Sequence, residues 1–184
     1  MKELRLILGD QLNINHSWFT EVDSQIVYLM MEVKSEATRS PIHAQKLLGT
    51  FAAMRYFSAQ LVERGHQVEY LKIDESDNQQ SFSGNLEHQC QYHSAHSFFW
   101  QEPDSHYVDR ELSRFLKNSG LPGGSVSSEH FYEERDSLEL FMEKKKSWRM
   151  ESWYRHLRVK HDVLMSDAKP LGGGWNFDKE NRKS

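Results

Sequence analysis

Three carboxylates follow two short apolar segments of the sequence, and their positions suggest a binding site. Asp10 comes after the apolar run 4–8, and Glu32 comes directly after the run 26–31, with Glu36 in the same loop. Ionised carboxylates only accept hydrogen bonds, so together they could hold the hydroxyl groups of a sugar or polyol. The alternative is that Asp10 caps a helix and that both glutamates are solvated.

A dinucleotide-binding loop is excluded by the same segment. That fingerprint needs three spaced glycines between the first strand and its helix, because the backbone must approach a pyrophosphate closely. The sequence offers only Gly9 before Asp10. Binding of NAD or FAD in that manner is therefore not expected.

A group of potential metal ligands occurs in the middle of the chain, at His88, Cys90, His93 and His96. Its spacing matches no standard zinc motif, so we interpret these residues as surface and boundary side chains of a helix and expect no metal site. Cys90 is the only cysteine, which excludes an internal disulfide and favours a reducing cytoplasm.

A basic and aromatic segment lies near the end of the sequence. Residues 136–184 carry 11 Lys and Arg against 8 Asp and Glu, although the whole chain has a net charge of −4. Such a segment could contact phosphates and stack on bases, but we favour an amphipathic helix that packs its aromatic rings on the protein. The segment contains Lys144, Lys145, Lys146, Arg149, Arg155, Arg158 and Lys160, interleaved with Trp148, Trp153 and Tyr154.

The elements that would position these residues alternate between strand and helix. Apolar runs predict strands at 4–8, 26–31, 68–73 and 98–100, with a short edge strand near Val126. A long helix is predicted to begin with Ser40 as N-cap and Pro41 as first residue and to end at Gly65, and a second helix covers 109–116. This order predicts an α/β fold with a doubly wound, mostly parallel sheet.

The predicted domain organisation is one α/β domain over 1–135 and a helical linker over 136–184. The linker has a helical pattern from Ser137 but no partner strand, and the glycines at 172–174 make a regular element there unexpected. No run of about 18 apolar residues exists, so we expect a soluble protein without membrane spans.

Several segments together resemble the deoxyribodipyrimidine photolyase-related proteins, the bacterial iron-sulfur cryptochromes and (6-4) photolyases. The resemblance extends over essentially the whole chain and is most specific at its end, in Trp175-Asn176-Phe177-Asp178-Lys179-Glu180-Asn181-Arg182. The other matching segments are Leu6 to Leu12, Glu32-Val33, Glu36-Ala37, Phe51 to Arg55, Tyr70 to Asp74, Glu102-Pro103 and Leu164-Met165.

The resemblance implies the Rossmann-like N-terminal domain of a photolyase, acting in light-dependent DNA repair or in blue-light sensing. In that family this domain holds an antenna chromophore, 6,7-dimethyl-8-ribityllumazine, and a C-terminal domain holds FAD and a [4Fe-4S] cluster. The cluster needs four cysteines, so this chain cannot bind it. The implied partners are the missing C-terminal domain and damaged DNA, and we expect no repair by this chain alone.

The resemblance also implies which residues would hold the chromophore. They are Gly9, Asp10, Gln11, Leu12, Glu32, Val33, Glu36, Ala37 and Thr50. At Thr50 and Arg39 the sequence departs from the best-known relatives, which carry a bulkier aliphatic residue and an aromatic residue. Asp178 and Arg182 would face the DNA lesion in the complete protein. Two other functions stay open: a stand-alone small-molecule-binding domain and a nucleic-acid-binding adaptor.

Overall fold

The computed structural model describes residues 1–39, 41–143, 145 and 147–176. The chain divides into two compact units, of which the first is Met1–His130 and the second begins at Phe131. The domain boundary at residue 135 stays a prediction.

The first unit is built on a five-stranded sheet in which every neighbouring pair of strands is parallel. The strand order is β3-β2-β1-β4-β5, so β5 lies at an edge as expected. The strands are β1 (Lys2–Leu6), β2 (Ile26–Met31), β3 (Gln67–Leu71), β4 (Ala95–Gln101) and β5 (Gly123–Val126); the helices are α1 (Lys34–Thr38), α2 (Ala44–Glu63), α3 (Phe82–Tyr92) and α4 (His106–Ser119). The predicted α/β fold is confirmed.

Helices cover both faces of this sheet because successive strand residues point to opposite sides. On one face, Leu4 and Leu6 of β1 join a buried cluster with side chains of α3 and α4. On the other face, Tyr28 and Met30 of β2 join a second buried cluster with Phe57 and other residues of α2. The sheet is therefore doubly wound.

The start of α2 differs from the prediction. The helix begins at Ala44, and the side chain of its N-cap, His43, accepts a hydrogen bond from the backbone of Gln45. Pro41 precedes the helix and is not its first residue, and the predicted cap Ser40 lies outside the described residues. The predicted end is confirmed, because the helix stops at Glu63 and Gly65 has a left-handed φ of 94°.

Helix α3 contains His88 and Cys90, as the helical interpretation of the histidine group expected, but it does not contain the whole group. His93 is the C-cap of α3, whereas His96 lies in β4, so the two do not share a helix. The bounds of α3 could not be predicted from the sequence, because Asn85 and Gln89 are buried alongside Leu86 and interrupt the apolar pattern of the helix. Within the described part of the chain, no three His, Cys, Asp or Glu residues are grouped as a metal ion would require.

The second unit contains the predicted helices and a hairpin that was not predicted. Its elements are α5 (Ser137–Glu143), α6 (Met150–Lys160) and the antiparallel strands β6 (Met165–Ser166) and β7 (Lys169–Pro170), followed by a short 3-10 turn at Leu171–Gly173. This turn is irregular, because Gly172 and Gly173 have left-handed φ angles of 79° and 78°, so it does not contradict the expectation of no regular element in the glycine segment.

Side chains of the basic segment pack within this second unit. The ring of Trp153 lies 5.1 Å from that of Phe141. Arg158 is only 5% exposed. Its guanidinium lies over the ring of Trp175 and donates to the carbonyl of Val163. These contacts agree with the amphipathic interpretation, although Trp148 is exposed.

None of the helices in the described ranges has both the length and the apolar composition needed to cross a membrane.

We predict that Gly123→Ala strongly destabilises the first unit. Gly123 has a φ of 149°, and a Cβ there would lie 1.7 Å from the carbonyl oxygen of Phe98 on the neighbouring strand. The variant should lose at least about 2 kcal/mol of unfolding free energy in urea denaturation. Gly124→Ala is the matched control, because a Cβ there meets nothing within 4 Å. Equal stability of the two variants would contradict the prediction.

Candidate functional site

A cavity of about 310 Å³ opens at the carboxyl ends of β1 and β2, in the first unit. Its walls also include residues from α1, α2 and the beginnings of α3 and α4. Strand order reverses beside β1, so the connections after β1 and after β4 leave on opposite faces. Ligands of open α/β sheets bind at this kind of position. The lining is mostly apolar, and its polar members are Asp10, Glu36, Lys46, Thr50 and Ser105.

The structure brings together part of the predicted set. The residues that line the cavity are Gly9, Asp10, Val33, Glu36, Ala37 and Thr50. Gln11, Leu12 and Glu32 do not line it. The expectation that all three carboxylates converge on one cavity is therefore wrong for Glu32.

Gly9 allows α2 to approach the end of β1 closely. A Cβ at this position would lie 2.9 Å from the sulfur of Met54 and 3.0 Å from Cγ2 of Thr50. Both neighbours line the cavity. Gly9 thus contributes to the site because its missing side chain leaves room for Thr50 and Met54. It does not form part of a phosphate-binding turn.

Asp10 and Glu36 are carboxylates in an environment that opposes their ionisation. Desolvation is the main cause that raises the pKa of Asp10, and the charge of Asp104 adds to it. Desolvation likewise raises the pKa of Glu36, against the effect of Arg39, and Asp10 is among the acidic neighbours that add to it. Hydroxyl or amide donors of a ligand would relieve this cost, because a hydrogen bond to the charged form favours it.

Arg39 does not line the cavity, but it joins α1 to the beginning of α4 through residues that do. It forms an ion pair with Glu36. Its guanidinium also lies 3.4 Å from the hydroxyl of Ser105, to which it donates, and 5.3 Å from the ring centre of Tyr107. The arginine at this position therefore makes a connection between two walls.

Gln11 holds the ends of two strands together instead of facing the cavity. Its side-chain oxygen accepts from the backbone of Leu8 at 3.0 Å. Its amide nitrogen donates to the carbonyls of Gln101 and Glu102, each at 3.1 Å. Its neighbour Leu12 packs against the apolar cluster on the α2 side of the sheet.

Glu32 is fully buried, and protein groups satisfy its carboxylate. Arg55 donates to both oxygens, at 2.6 and 2.8 Å. The hydroxyl of Tyr70 donates at 2.7 Å and the backbone of Ile73 at 3.1 Å. Desolvation opposes ionisation, but these hydrogen bonds and the charge of Arg55 outweigh it and lower the pKa of Glu32. Glu32 is thus an ionised structural residue.

Some lining residues were missed by sequence reasoning. Lys46 and Leu47 lie one turn before Thr50 and Phe51 on α2, and all four line the cavity. Their i to i+4 spacing could have identified them once Thr50 was chosen. Phe82, Ser105 and Val108 come from later helices and carry no comparable signal. Asp178 and Arg182 lie outside the described residues.

The fold and the cavity define a class: open parallel α/β domains with a cavity where the strand order reverses. Residues 5–184 match the family model described as deoxyribodipyrimidine photo-lyase-related protein, and the chain belongs to that family.

The relatives differ greatly in length. The chain is 34% identical over its whole length to a (6-4) photolyase of Agrobacterium fabrum, of which it spans only 36%. It is 25% identical to an uncharacterized protein of Acanthamoeba polyphaga mimivirus, and there the match covers all of this chain and 95% of the relative.

We predict that Glu32→Gln removes part of the pH dependence of stability. The folded-state pKa of Glu32 lies below its ordinary value of 4.5, so its contribution is present above that value and is lost as the pH falls. At neutral pH the variant should lose about 3 kcal/mol of unfolding free energy. On acidification its urea midpoint should fall less than that of the wild type. Glu36→Gln is the control, because the pKa of Glu36 is shifted upward. If the urea midpoints of Glu32→Gln and the wild type fell equally on acidification, Glu32 would not be the ionised structural residue described above.

Proposed function

We propose that the first unit is the chromophore-binding, light-harvesting domain of a photolyase-like protein that acts in light-dependent DNA repair or blue-light sensing. We propose 6,7-dimethyl-8-ribityllumazine as the chromophore. The observation that carries this proposal is the cavity itself, which combines an apolar slot with an accepting carboxylate, Asp10.

The residues of the cavity fit a flat ring with a polyol tail. Leu8, Met31, Phe51 and Met54 offer apolar surface to a ring. Asp10 offers acceptor oxygens to ribityl hydroxyls, and its raised pKa favours a partner that donates. The volume of 310 Å³ is close to the lower end of the range of about 300–1,000 Å³ for ligand sites, which suits a compact heterocycle.

When bound, the lumazine would absorb near-ultraviolet or blue light and transfer the excitation to a flavin. The protein's own contribution is to hold the polyol at Asp10 and to exclude water from the ring with apolar side chains. Gly9 supports this by letting α2 approach the strand end. We propose that FAD, the [4Fe-4S] cluster and damaged DNA bind a further photolyase domain. The argument from this sequence concerns the cluster alone, which needs four cysteines where this chain has one.

We predict that Asp10→Asn weakens binding of 6,7-dimethyl-8-ribityllumazine. Loss of charged hydrogen bonds of about 1.5–3 kcal/mol corresponds to a ten- to hundredfold higher Kd. Titration with the lumazine, followed by its fluorescence, measures the change. Asp104→Asn is the matched control, because Asp104 adds to the local charge but does not line the cavity. Equal Kd values for Asp10→Asn and the wild type would show that the chromophore does not bind at Asp10.

We predict that the 184-residue chain does not repair DNA by itself. An antenna captures excitation, but electron donation to a lesion requires the reduced flavin. Illumination of the purified chain with an oligonucleotide that contains a (6-4) photoproduct should leave the lesion unchanged. Photoreversal would refute this assignment, and salt-dependent DNA binding without any chromophore would favour a nucleic-acid adaptor instead.

A further inference from the structure

We infer that Glu32 and Arg55 are positioning residues of the cavity, whose ion pair keeps the walls formed by α1 and α2 at the spacing that the ligand requires. Neither side chain lines the cavity. The inference rests on the proposed function, because it treats the cavity as the ligand site.

The connection to α2 runs through Arg55. Its two hydrogen bonds to Glu32 fix the guanidinium in one orientation, and the preceding residue of the helix, Met54, lines the cavity. The pair therefore sets how α2 is rotated about its own axis. Little rotation of α2 can be tolerated, because the helix packs tightly on Gly9. A Cβ on Gly9 would lie 2.9 Å from the sulfur of Met54.

The connection to α1 runs through the backbone of Glu32. Its carbonyl accepts from the side-chain amide of Asn78 at 2.7 Å, and the oxygen of that amide accepts from the backbone of Gln80 at 2.8 Å. The carbonyl of Gln80 accepts in turn from the backbone of Ser35, at 3.2 Å, in the first turn of α1. Glu36, the next residue, lines the cavity.

The two connections act together because they meet at one buried residue: Arg55 bonds the carboxylate of Glu32, and Asn78 bonds its backbone carbonyl. The carboxylate of Glu32 has no exposed surface, and Tyr70 and the backbone of Ile73 also donate to it. A buried network of this kind cannot move one member without leaving another unsatisfied. A change at Arg55 on α2 should therefore reach α1, on the other wall.

Affinity for 6,7-dimethyl-8-ribityllumazine provides the first test. Arg55→Met should raise Kd at least about tenfold, and Arg55→Lys should restore part of the affinity, because lysine keeps the charge but not the two-pronged contact. Arg64→Met, at the C-cap of the same helix, is the control, since Arg64 donates to the carbonyl of Ile14 and does not line the cavity. It should leave Kd within about twofold of the wild type.

A second variant guards against unfolding. Arg55→Met leaves a buried carboxylate without its cation, whereas the double variant Glu32→Gln with Arg55→Met removes both charges and should fold. The double variant should also bind the lumazine at least about tenfold more weakly. Wild-type affinity in a folded double variant would overturn the inference.

Hydrogen exchange provides a test that does not depend on any ligand. The amides of residues 35–37 should exchange faster in the double variant than in the wild type, and Arg64→Met should leave them unchanged. Unchanged exchange in α1 of the double variant would overturn the inference. If the wild type binds no lumazine, the proposed chromophore fails, and the exchange result alone decides whether the ion pair couples the two walls.

Discussion

The reversal of the strand order beside β1 is the constraint on which the rest of the structure depends. The chain after β1 leads to β2 and α2 on one face, whereas the connections through α3 and α4 lie on the other. The strand ends therefore separate at this point and leave a crevice. Gln11 spans that junction by bonding the end of β1 to the carbonyls of Gln101 and Glu102. The buried side chain of Gln11 thus satisfies backbone groups at the strand ends that would otherwise lack a partner.

Carboxylates at this sheet edge have different chemistry because their neighbours differ. Glu32 is enclosed with a cation and two further donors, so it stays ionised in a fully buried position. Asp10 and Glu36 have fewer compensating donors, and desolvation raises the pKa of each. The edge thus combines one carboxylate that protein donors keep ionised with two whose pKa desolvation raises.

The sequence predicts the sheet well because its strands are short apolar runs: the run 26–31 coincides with β2, and the run 4–8 overlaps β1 at residues 4–6. It predicts side-chain direction poorly. Asp10 and Glu32 both follow strands, yet only Asp10 reaches the cavity, because Arg55 and Tyr70 hold Glu32 from distant parts of the chain. No local pattern around Glu32 reveals these partners, since a tertiary contact decides its orientation.

Oxidation of Met31 or Met54 would change the wall of the cavity. Both side chains are almost fully buried, and both line the cavity. Conversion to the sulfoxide adds a polar oxygen to a flexible apolar side chain. At Met54 that oxygen would have to fit into the tight contact with Gly9. Oxidation at either position would therefore add polarity and volume to a tightly packed apolar wall.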